Sequence, residues 1–337
     1  MTTAVIPKPP KWYTYKKDCL AACQEGQTPS FFKGHGWYCK PIASVVPPPP
    51  PGINPVLPVG PFTKTSQPVN YPDASKAGLV DGLDIENIKG AVNGLSIMQW
   101  PPKDGPKWNV KNIIVQNVGN VPPTSNGTRE AGIWIGQPAD LDGIVSDGSW
   151  ESLWTGAMCH DSNIKNITLA KRDSAGNFTL PAGGVASLYC EHFTRRTTFS
   201  QMRIIPIGSK AIISEWWYPD STYAPFVAQE YPNANRGEAG SCMNIHEDLY
   251  VWCPKGGYGI YLDQGTWGDV TQRITFDGPG NAYKEVGPLH GPIPNTYNQA
   301  SCTYLNGGTR MEHEYGDPKR KVPEAPAHVL YYQSLHF

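Results

Sequence analysis

The chain has 337 residues, which is long enough for one large domain or two ordinary ones. Its 28 basic and 29 acidic side chains give a net charge of -1, which excludes the strongly basic surface that binds nucleic acid or an anionic membrane. Glycine (35) and proline (34) interrupt the chain too often for long helices, so the composition predicts a turn-rich, mostly β protein. No segment approaches the roughly 20 apolar residues of a membrane span. The N-terminus lacks the apolar core of a signal peptide, so we expect synthesis in the cytoplasm without secretion.

Residues 1–40 are predicted to form a small anchor that contains one short helix. Asp18 is placed to cap a helix over residues 19–25, and Gly26 is placed to end it. Four side chains in this region form a candidate zinc set, which is the one cofactor that the sequence suggests: Cys19, Cys23, His35 and Cys39. Their spacing matches no common zinc finger. The alternatives are buried thiols, or a disulfide from Cys39 to either helical cysteine.

Residues 41–75 are predicted to be an extended spacer. Eleven prolines lie between residues 41 and 72, and a polyproline segment makes no hydrogen bonds of its own. We therefore expect residues 1–75 to attach the chain to a larger assembly. The main domain is placed at residues 76–290 and a C-terminal extension at residues 291–337.

The main domain contains a degenerate repeat. Residues 109–115 and 163–169 both have apolar side chains at offsets 0, 3 and 5, counted from their second residue, with an asparagine at offset 2. The same offsets fit a copy that starts at Phe199 and, more loosely, one that starts at His246. A fifth copy is predicted from Val270, with a one-residue bulge before its last two apolar positions.

The repeat predicts an all-β fold, a right-handed parallel β-helix over about residues 80–280. The apolar residues at offsets 0 and 3 are three positions apart, whereas side chains on one side of a straight strand are two positions apart. The chain must therefore turn at a corner between them in each coil. Side-chain amides tolerate the left-handed conformation of such a corner and can hydrogen-bond from coil to coil. The predicted corner residues are Asn112, Asn166, Gln201 and Gln272. A β-sandwich with irregular strands is the alternative fold.

Two of these segments resemble the coils of a known family. The sequences Asn-Ile-Lys-Asn-Ile-Thr and Asn-Val-Lys-Asn-Ile-Ile look like coils of pectin-lyase-like β-helix proteins. With the anchor and the proline spacer, the chain is most similar to bacteriophage tailspikes and related virion spikes. The resemblance implies a structural virion protein, a tailspike, fibre or capsid decoration, that binds host surface polysaccharide. It rests on repeat character over residues 80–280, so it carries over no catalytic residue.

Exposed side walls of a short β-helix predict a homotrimer, because trimerisation buries apolar surface that is unfavourable in water. Flat indoles on such walls are candidates for stacking on sugar rings. Adjacent Trp216 and Trp217 cannot both face the core of one strand, so one of them is expected at the surface or at a subunit interface. The candidate glycan-binding residues are Trp150, Trp154, Trp216, Trp217 and Tyr218. The alternative is that these rings cover the core from loops.

An enzyme on the same β-helix, a polysaccharide lyase or glycoside hydrolase, is the alternative function. Hydrolysis needs two carboxyl groups, and a lyase needs a proton acceptor beside a uronate. The candidates are Asp140, Asp142 and Asp147, in a long insertion predicted between the strands at Ile133 and Ile164, and Glu191, His192 and Arg195. His246 is predicted to be a buried, hydrogen-bonded core residue rather than a catalytic one. With no catalytic motif in the sequence, we favour a role without catalysis.

Overall fold

The structure, a computed structural model, describes a defined set of residues: 12–13, 27–32, 36–41, 55–73, 75–90, 92–99, 105–119, 131–147, 151–156, 158–172, 178–179, 186–191, 194–206, 208–214, 241–262, 266–286, 295–306 and 312–314. In the N-terminal region, three antiparallel strands form a small sheet with the third strand in the middle: β1 (Trp12–Tyr13), β2 (Gln27–Phe32) and β3 (Gly36–Pro41). The helix predicted over residues 19–25 lies outside the described residues.

The rest of the described chain forms a parallel β-helix. Nine coils stack in the described part of the chain, and each gives one strand to each of two long sheets, except that the last coil gives two short strands to the first sheet. The first four coils contain β4 (Thr63–Thr65) and β5 (Val69–Tyr71), β6 (Leu79–Glu86) and β7 (Leu95–Ile97), β8 (Trp108–Gln116) and β9 (Ala131–Ile135), and β10 (Ala139–Ser146) and β11 (Glu151–Thr155).

The fifth coil contains a short antiparallel hairpin between its two main strands: β12 (Asn163–Leu169), the hairpin strands β13 (Lys171–Arg172) and β14 (Phe178–Thr179), and β15 (Ala186–Cys190). The last four coils contain β16 (Thr198–Ile204) and β17 (Lys210–Ser214), β18 (Ile245–Trp252) and β19 (Tyr258–Leu262), β20 (Val270–Asp277) and β21 (Asn281–Val286), and β22 (Thr296–Tyr297) with β23 (Thr303–Leu305) and β24 (Glu312–Glu314). A 3₁₀ turn at Gln299–Ser301 separates β22 from β23. No helix in these described segments is long and apolar enough to cross a membrane.

The first strand of each coil belongs to sheet 1 and the last to sheet 2, and every neighbouring pair within these sheets is parallel. The predicted β-helix is therefore confirmed, and the β-sandwich alternative is wrong. Single bridges from His160 through Arg195 and Cys242 to Trp267 form a narrow third face. The strands of the stack run from Thr63 to Glu314, beyond both limits of the predicted residues 76–290.

The register of sheet 1 confirms the offset 0, 3, 5 pattern. Val110 pairs with Leu141, which pairs with Ile164, and Ile164 pairs with Phe199. His246 follows at the same position, and its partner in the next coil is Thr271. Counting from Thr271 puts the next apolar residues of β20 at offsets 3 and 5. The start predicted at Val270 is therefore one residue early, and the predicted bulge is not needed.

A column of left-handed residues runs along the corner at offset 2. Positive φ angles occur there in successive coils at Gly82, Asn112, Gly143, Asn166, Gln201, Asp248 and Arg273. Asn166 and Gln201 occupy equivalent corners of adjacent coils, as predicted. In the last of these coils the corner residue is Arg273 rather than the predicted Gln272, because the coil starts one residue later. The corner therefore requires a residue that can adopt the left-handed backbone conformation. Several residue types other than asparagine do so here.

One apolar core fills the stack from the second coil to the eighth. The apolar side chains at offsets 0, 3 and 5 belong to one continuous cluster that includes both sheets, or pack against it, as half-buried Leu83 does. A single coil cannot bury this surface alone, so each depends on its neighbours. The stretch between Ile133 and Ile164, which was interpreted as an insertion, contains β10 and β11 and is therefore a complete coil. Gly143 occupies the corner position of this coil, so the asparagine that marks the corner in the predicted copies is absent from its sequence.

Candidate functional site

A row of large side chains runs along the outer side of sheet 2. The same register position on successive strands holds Ser96, Trp134, Trp154, Tyr189, Ile213, Tyr261 and Lys284. Tyr189 and Ile213 pack with Trp154 and Tyr261 in a cluster separate from the core of the β-helix. Trp134, Trp154 and Tyr261 are half-buried, whereas Tyr189 and Ile213 between them are 1% and 2% exposed. We call this row, together with Lys210 and Tyr258 beside Tyr261, the aromatic face.

The two tryptophans of this row stack on each other. The ring centroids of Trp134 and Trp154 are 4.3 Å apart with an interplanar angle of 7°, and Tyr189 meets Trp154 edge-on at 6.3 Å. The spacing follows from parallel strands about 4.8 Å apart, which place like side chains directly over one another. Trp154 therefore covers one face of Trp134. The other face of Trp134 is turned toward β7, where the small side chain of Ser96 holds the same position.

A buried carboxylate fixes the second indole of the stack. Glu191, which directly follows β15 and is only 5% exposed, accepts a hydrogen bond of 2.9 Å from Nε1 of Trp154. Gly156 makes room for this contact, because a Cβ at that position would lie 3.1 Å from Nε1 of Trp154 and 3.2 Å from Cβ of Glu191. The predicted candidates Trp154 and Glu191 are thus brought together. The contact orients the indole and occupies the carboxylate.

The other end of the aromatic face is basic. The ammonium group of Lys210 lies 4.4 Å from the ring centroid of Tyr261, and that of Lys284 lies 5.4 Å from the ring centroid of Tyr258. The two tyrosine rings are 5.6 Å apart. All four side chains are half-buried on neighbouring strands of sheet 2. Cation–π contacts of this kind attract an ammonium group to the face of an aromatic ring.

The three aspartate candidates lie on or next to β10, away from the aromatic face. Asp140 accepts hydrogen bonds from Nζ of Lys107 (3.1 Å) and from the backbone N–H of Asn163 (2.8 Å). Asp147, which is 4% exposed, accepts a 2.6 Å hydrogen bond from the backbone N–H of Asn117. Both carboxylates, and Asp142 with them, connect neighbouring coils. Their catalytic role stays a prediction.

The basic candidate Arg195 lies on the third face and is 1% exposed, so it is remote from solvent. The neighbouring Arg196 instead forms two hydrogen bonds of 2.6 Å with the carboxylate of Asp161, which also lies 2.8 Å from Nδ1 of His160. Partial burial opposes ionisation of Asp161, but these hydrogen bonds keep the pKa of its carboxyl group well below the usual range. Sequence reasoning missed this cluster because Asp161 and Arg196 are 35 residues apart and meet only through stacking.

His246 is fully buried, as predicted, but its surroundings differ from the prediction. Its ring stacks on Phe199 at 5.1 Å with an interplanar angle of 4°. Among the described residues, neither ring nitrogen has a hydrogen-bond partner, and Oδ2 of buried Asp269 is 3.7 Å from Nε2. Asp269 instead accepts hydrogen bonds from the backbone N–H of Asn244 (2.8 Å) and from Oγ of Ser214 (3.2 Å). The histidine thus occupies an apolar core position and is not accessible to a substrate.

Several candidates lie outside the described residues: Trp150, His192, Trp216, Trp217 and Tyr218, and, of the zinc set, Cys19, Cys23 and His35. Cys39 lies on β3. In the segments that the structure describes, no group of three or more His, Cys, Asp or Glu side chains is arranged to hold a metal ion.

Comparison with known proteins adds no relative. No model of a protein family, no curated protein and no solved structure matches the chain. The resemblance to virion spikes therefore rests on the sequence pattern alone.

Proposed function

We propose that this chain is a structural virion protein of a bacteriophage, a spike, fibre or capsid decoration, that binds a host surface glycan through the aromatic face. The observation that carries the proposal is the Trp134–Trp154 stack on the outer wall of a regular β-helix. The flat apolar surface of an indole suits the apolar C–H face of a sugar ring. The parallel β-helix itself fits the resemblance but does not determine the function.

The free face of Trp134 is the surface that a sugar ring would contact. Trp154 lies behind it and is held by Glu191, so the indole is supported before the ligand arrives. Support of this kind lowers the ordering cost of binding. Beside this face, the buried side chain of Ser96 occupies little volume. Trp134 is thus the binding residue and Trp154 its positioning residue.

Binding should be measured with purified protein on an array of bacterial surface polysaccharides. The variant Trp134→Ala is expected to lose most of the bound signal. Trp252→Ala is the matched control, because Trp252 is also half-buried but lies at the end of β18 in sheet 1. Equal binding by Trp134→Ala and the unaltered protein, or no binding by either, would overturn the proposal. Release of reducing ends or unsaturated sugars would favour the enzymatic alternative.

We further propose that residues 1–54 attach the protein to the virion. The proposal is supported by the proline-rich sequence of residues 41–54 and by the start of the β-helix at Thr63. Deleting residues 1–54 spares β4 and β5 and should leave a folded β-helix that no longer joins phage particles. Normal incorporation of the truncated chain would contradict this assignment.

The homotrimer is likewise a proposal. It is supported by exposed apolar side chains at the start of the β-helix: Val56, Leu57 and Val59, which precede β4, and Leu79 at the start of β6 are each more than half exposed. Such a group of exposed apolar side chains on one region is typical of an interaction surface. Light scattering at micromolar concentration should give the mass of three chains. A stable monomer would contradict it.

A further inference from the structure

The exposed apolar side chains of the protein are gathered at one end of the β-helix. In the described part of the chain, every large apolar side chain that is exposed lies between residues 56 and 92, in the first two coils or in the segment that leads into them: Val56, Leu57, Val59, Leu79 and Val92. None of the large apolar side chains described between residues 93 and 314 is exposed. We call these five residues the apolar end.

Contacts with the corner of sheet 1 fix the segment that leads into the first coil. The backbone N–H of Val59 donates a 3.3 Å hydrogen bond to Oδ1 of Asn112, the corner residue of the third coil. The carbonyl oxygen of Pro61 lies against Gly82, only 2.7 Å from the position that a Cβ would occupy there. The apolar side chains of this segment are therefore presented to solvent from a positioned backbone, which lowers the ordering cost of binding.

The apolar end carries little uncompensated charge. Nζ of Lys64, on the first strand of sheet 1, lies 3.0 Å from Oδ2 of Asp84 and 3.4 Å from Oε1 of Glu86. Among the described residues, Lys89 is the one charged side chain of residues 55–92 that has no ion pair. Copies of this chain, with a net charge of -1, therefore repel one another little when their apolar ends approach.

Strand edges are open at the same end. The strands β4 and β5 are the first of their sheets, and each pairs with a described strand on one side only. β4 pairs with residues 83–85 of β6, so the edge of residues 79–81 that faces away from β8 has no partner strand in the described part of the chain. Native proteins commonly cover or protect such edges. The end of the stack thus combines exposed apolar side chains with uncovered strand edges.

We propose that copies of this chain associate through their apolar ends, and that the walls formed by sheet 1 and sheet 2 stay outside the interface. In a ring of three, the apolar end of each copy contacts those of both neighbours and removes apolar surface from water. The 54 residues that precede Pro55 join the chain at this end, so their proposed attachment to one site would bring like ends together. The inference rests on the homotrimer of the proposed function, because it names the surface through which the copies meet.

An interface at this end leaves the aromatic face of every copy open to a ligand. The sequence placed the trimer contact on the side walls, whereas the exposed apolar side chains of the described chain are confined to residues 56–92. Trp134 and Trp154 lie on the third and fourth coils, on the outer side of sheet 2. Each chain of the assembly then binds sugar separately, and contacts with one polysaccharide add through avidity.

Light scattering coupled to size-exclusion chromatography tests the inference on the full chain. The triple variant Val56→Ser/Leu57→Ser/Val59→Ser is expected to reduce the mass at micromolar concentration from three chains to one. Because these side chains are exposed, the variant should keep the circular dichroism spectrum and the urea midpoint of the unaltered protein. Ile114→Ser is the matched control, since Ile114 is half-buried between two core positions of β8 on sheet 1, and its mass should stay that of three chains.

A second variant covers the case in which the triple variant does not fold. Leu57→Glu places a charge in the apolar end and should also give a monomer, whereas Leu57→Met should not. A folded variant of either kind that keeps the mass of three chains would overturn this inference and leave the homotrimer standing. A monomeric Ile114→Ser would place the contact on a side wall and overturn the inference as well. A monomeric unaltered protein would overturn both the inference and the homotrimer.

Discussion

The side-chain amide of Asn166 donates a hydrogen bond of 2.7 Å from Nδ2 to Oδ1 of Asp142 on the preceding coil. Asn112 makes the same contact with Asp81 at 2.9 Å, one coil before the glycine corner at Gly143. The corner amides were predicted to bond to one another, but they bond to carboxylates one strand away. This contact also explains Asp142 without catalysis, because the carboxylate supports the left-handed corner of its neighbour.

Substitution at this corner should separate backbone strain from the lost hydrogen bond. Asn166 has φ of 55°, a conformation that costs an alanine about 1 kcal/mol and a glycine almost nothing. We expect Asn166→Gly to lower the free energy of unfolding by about 1 kcal/mol, from the lost hydrogen bond, and Asn166→Ala by about 2 kcal/mol. Urea denaturation measures both. Asn109→Ala, at an exposed position of β8, is the control, and equal losses in the glycine and alanine variants would contradict the account.

The Asp161–Arg196 contact predicts a specific dependence on pH. The pKa of the Asp161 carboxyl group is lower in the folded chain than its ordinary value of 3.8. Its stabilising effect is therefore fully present above about pH 4 and is lost as the pH falls toward the folded pKa. Asp161→Asn should be less stable than the unaltered chain at pH 7, with a difference that shrinks below pH 4. Denaturation curves at both pH values test this, and a difference that is constant with pH would be inconsistent with it.

The buried imidazole of His246 predicts that an apolar replacement is tolerated. Its nitrogens have no hydrogen-bond partner among the described residues, and a buried polar group in this condition costs about 1–3 kcal/mol. His246→Phe should extend the stack on Phe199 and raise the free energy of unfolding by about 1 kcal/mol. Phe199→Ala, a cavity-forming control, should lower it by about 3 kcal/mol. A marked loss of stability in His246→Phe would show instead that the contact with Asp269 is stabilising.

The buried thiols should be unreactive in the folded protein. Burial raises the pKa of Cys159 and of Cys253 to about 12, and raises that of Cys190 as well. The thiolate, which is the reactive form, is therefore scarce at pH 8. Iodoacetamide followed by peptide mapping should label half-buried Cys302 before these three, and all of them after denaturation. Complete labelling of Cys159 in the native protein would contradict its position in the core.

The fold could be predicted because the apolar pattern is local. Each copy of the offset 0, 3, 5 pattern spans six residues, so segments such as 109–115 and 163–169 show it without knowledge of their neighbours. The coil of β10 was missed for a physical reason: Gly143 replaces the amide at the corner, and Ser146 replaces the apolar residue at offset 5. Glycine allows the same backbone conformation but gives no side-chain signal.

The aromatic face was harder to predict because its residues come from strands separated by loops of different length. Trp154, Tyr189 and Tyr261 each lie ten residues before the offset 0 position of the next coil. This shared spacing marks them as equivalent. Trp134 precedes it by seven, so the same rule does not find it. The contact between Trp154 and Glu191 depends on coil stacking across 37 residues, and no local pattern indicates it.

The most direct test is a crystal or cryo-electron microscopy structure of the protein with a bound surface oligosaccharide. We expect density for a sugar ring against the face of Trp134 that is turned toward Ser96. An oligosaccharide bound along sheet 1, or one that makes no contact with the aromatic face, would contradict it.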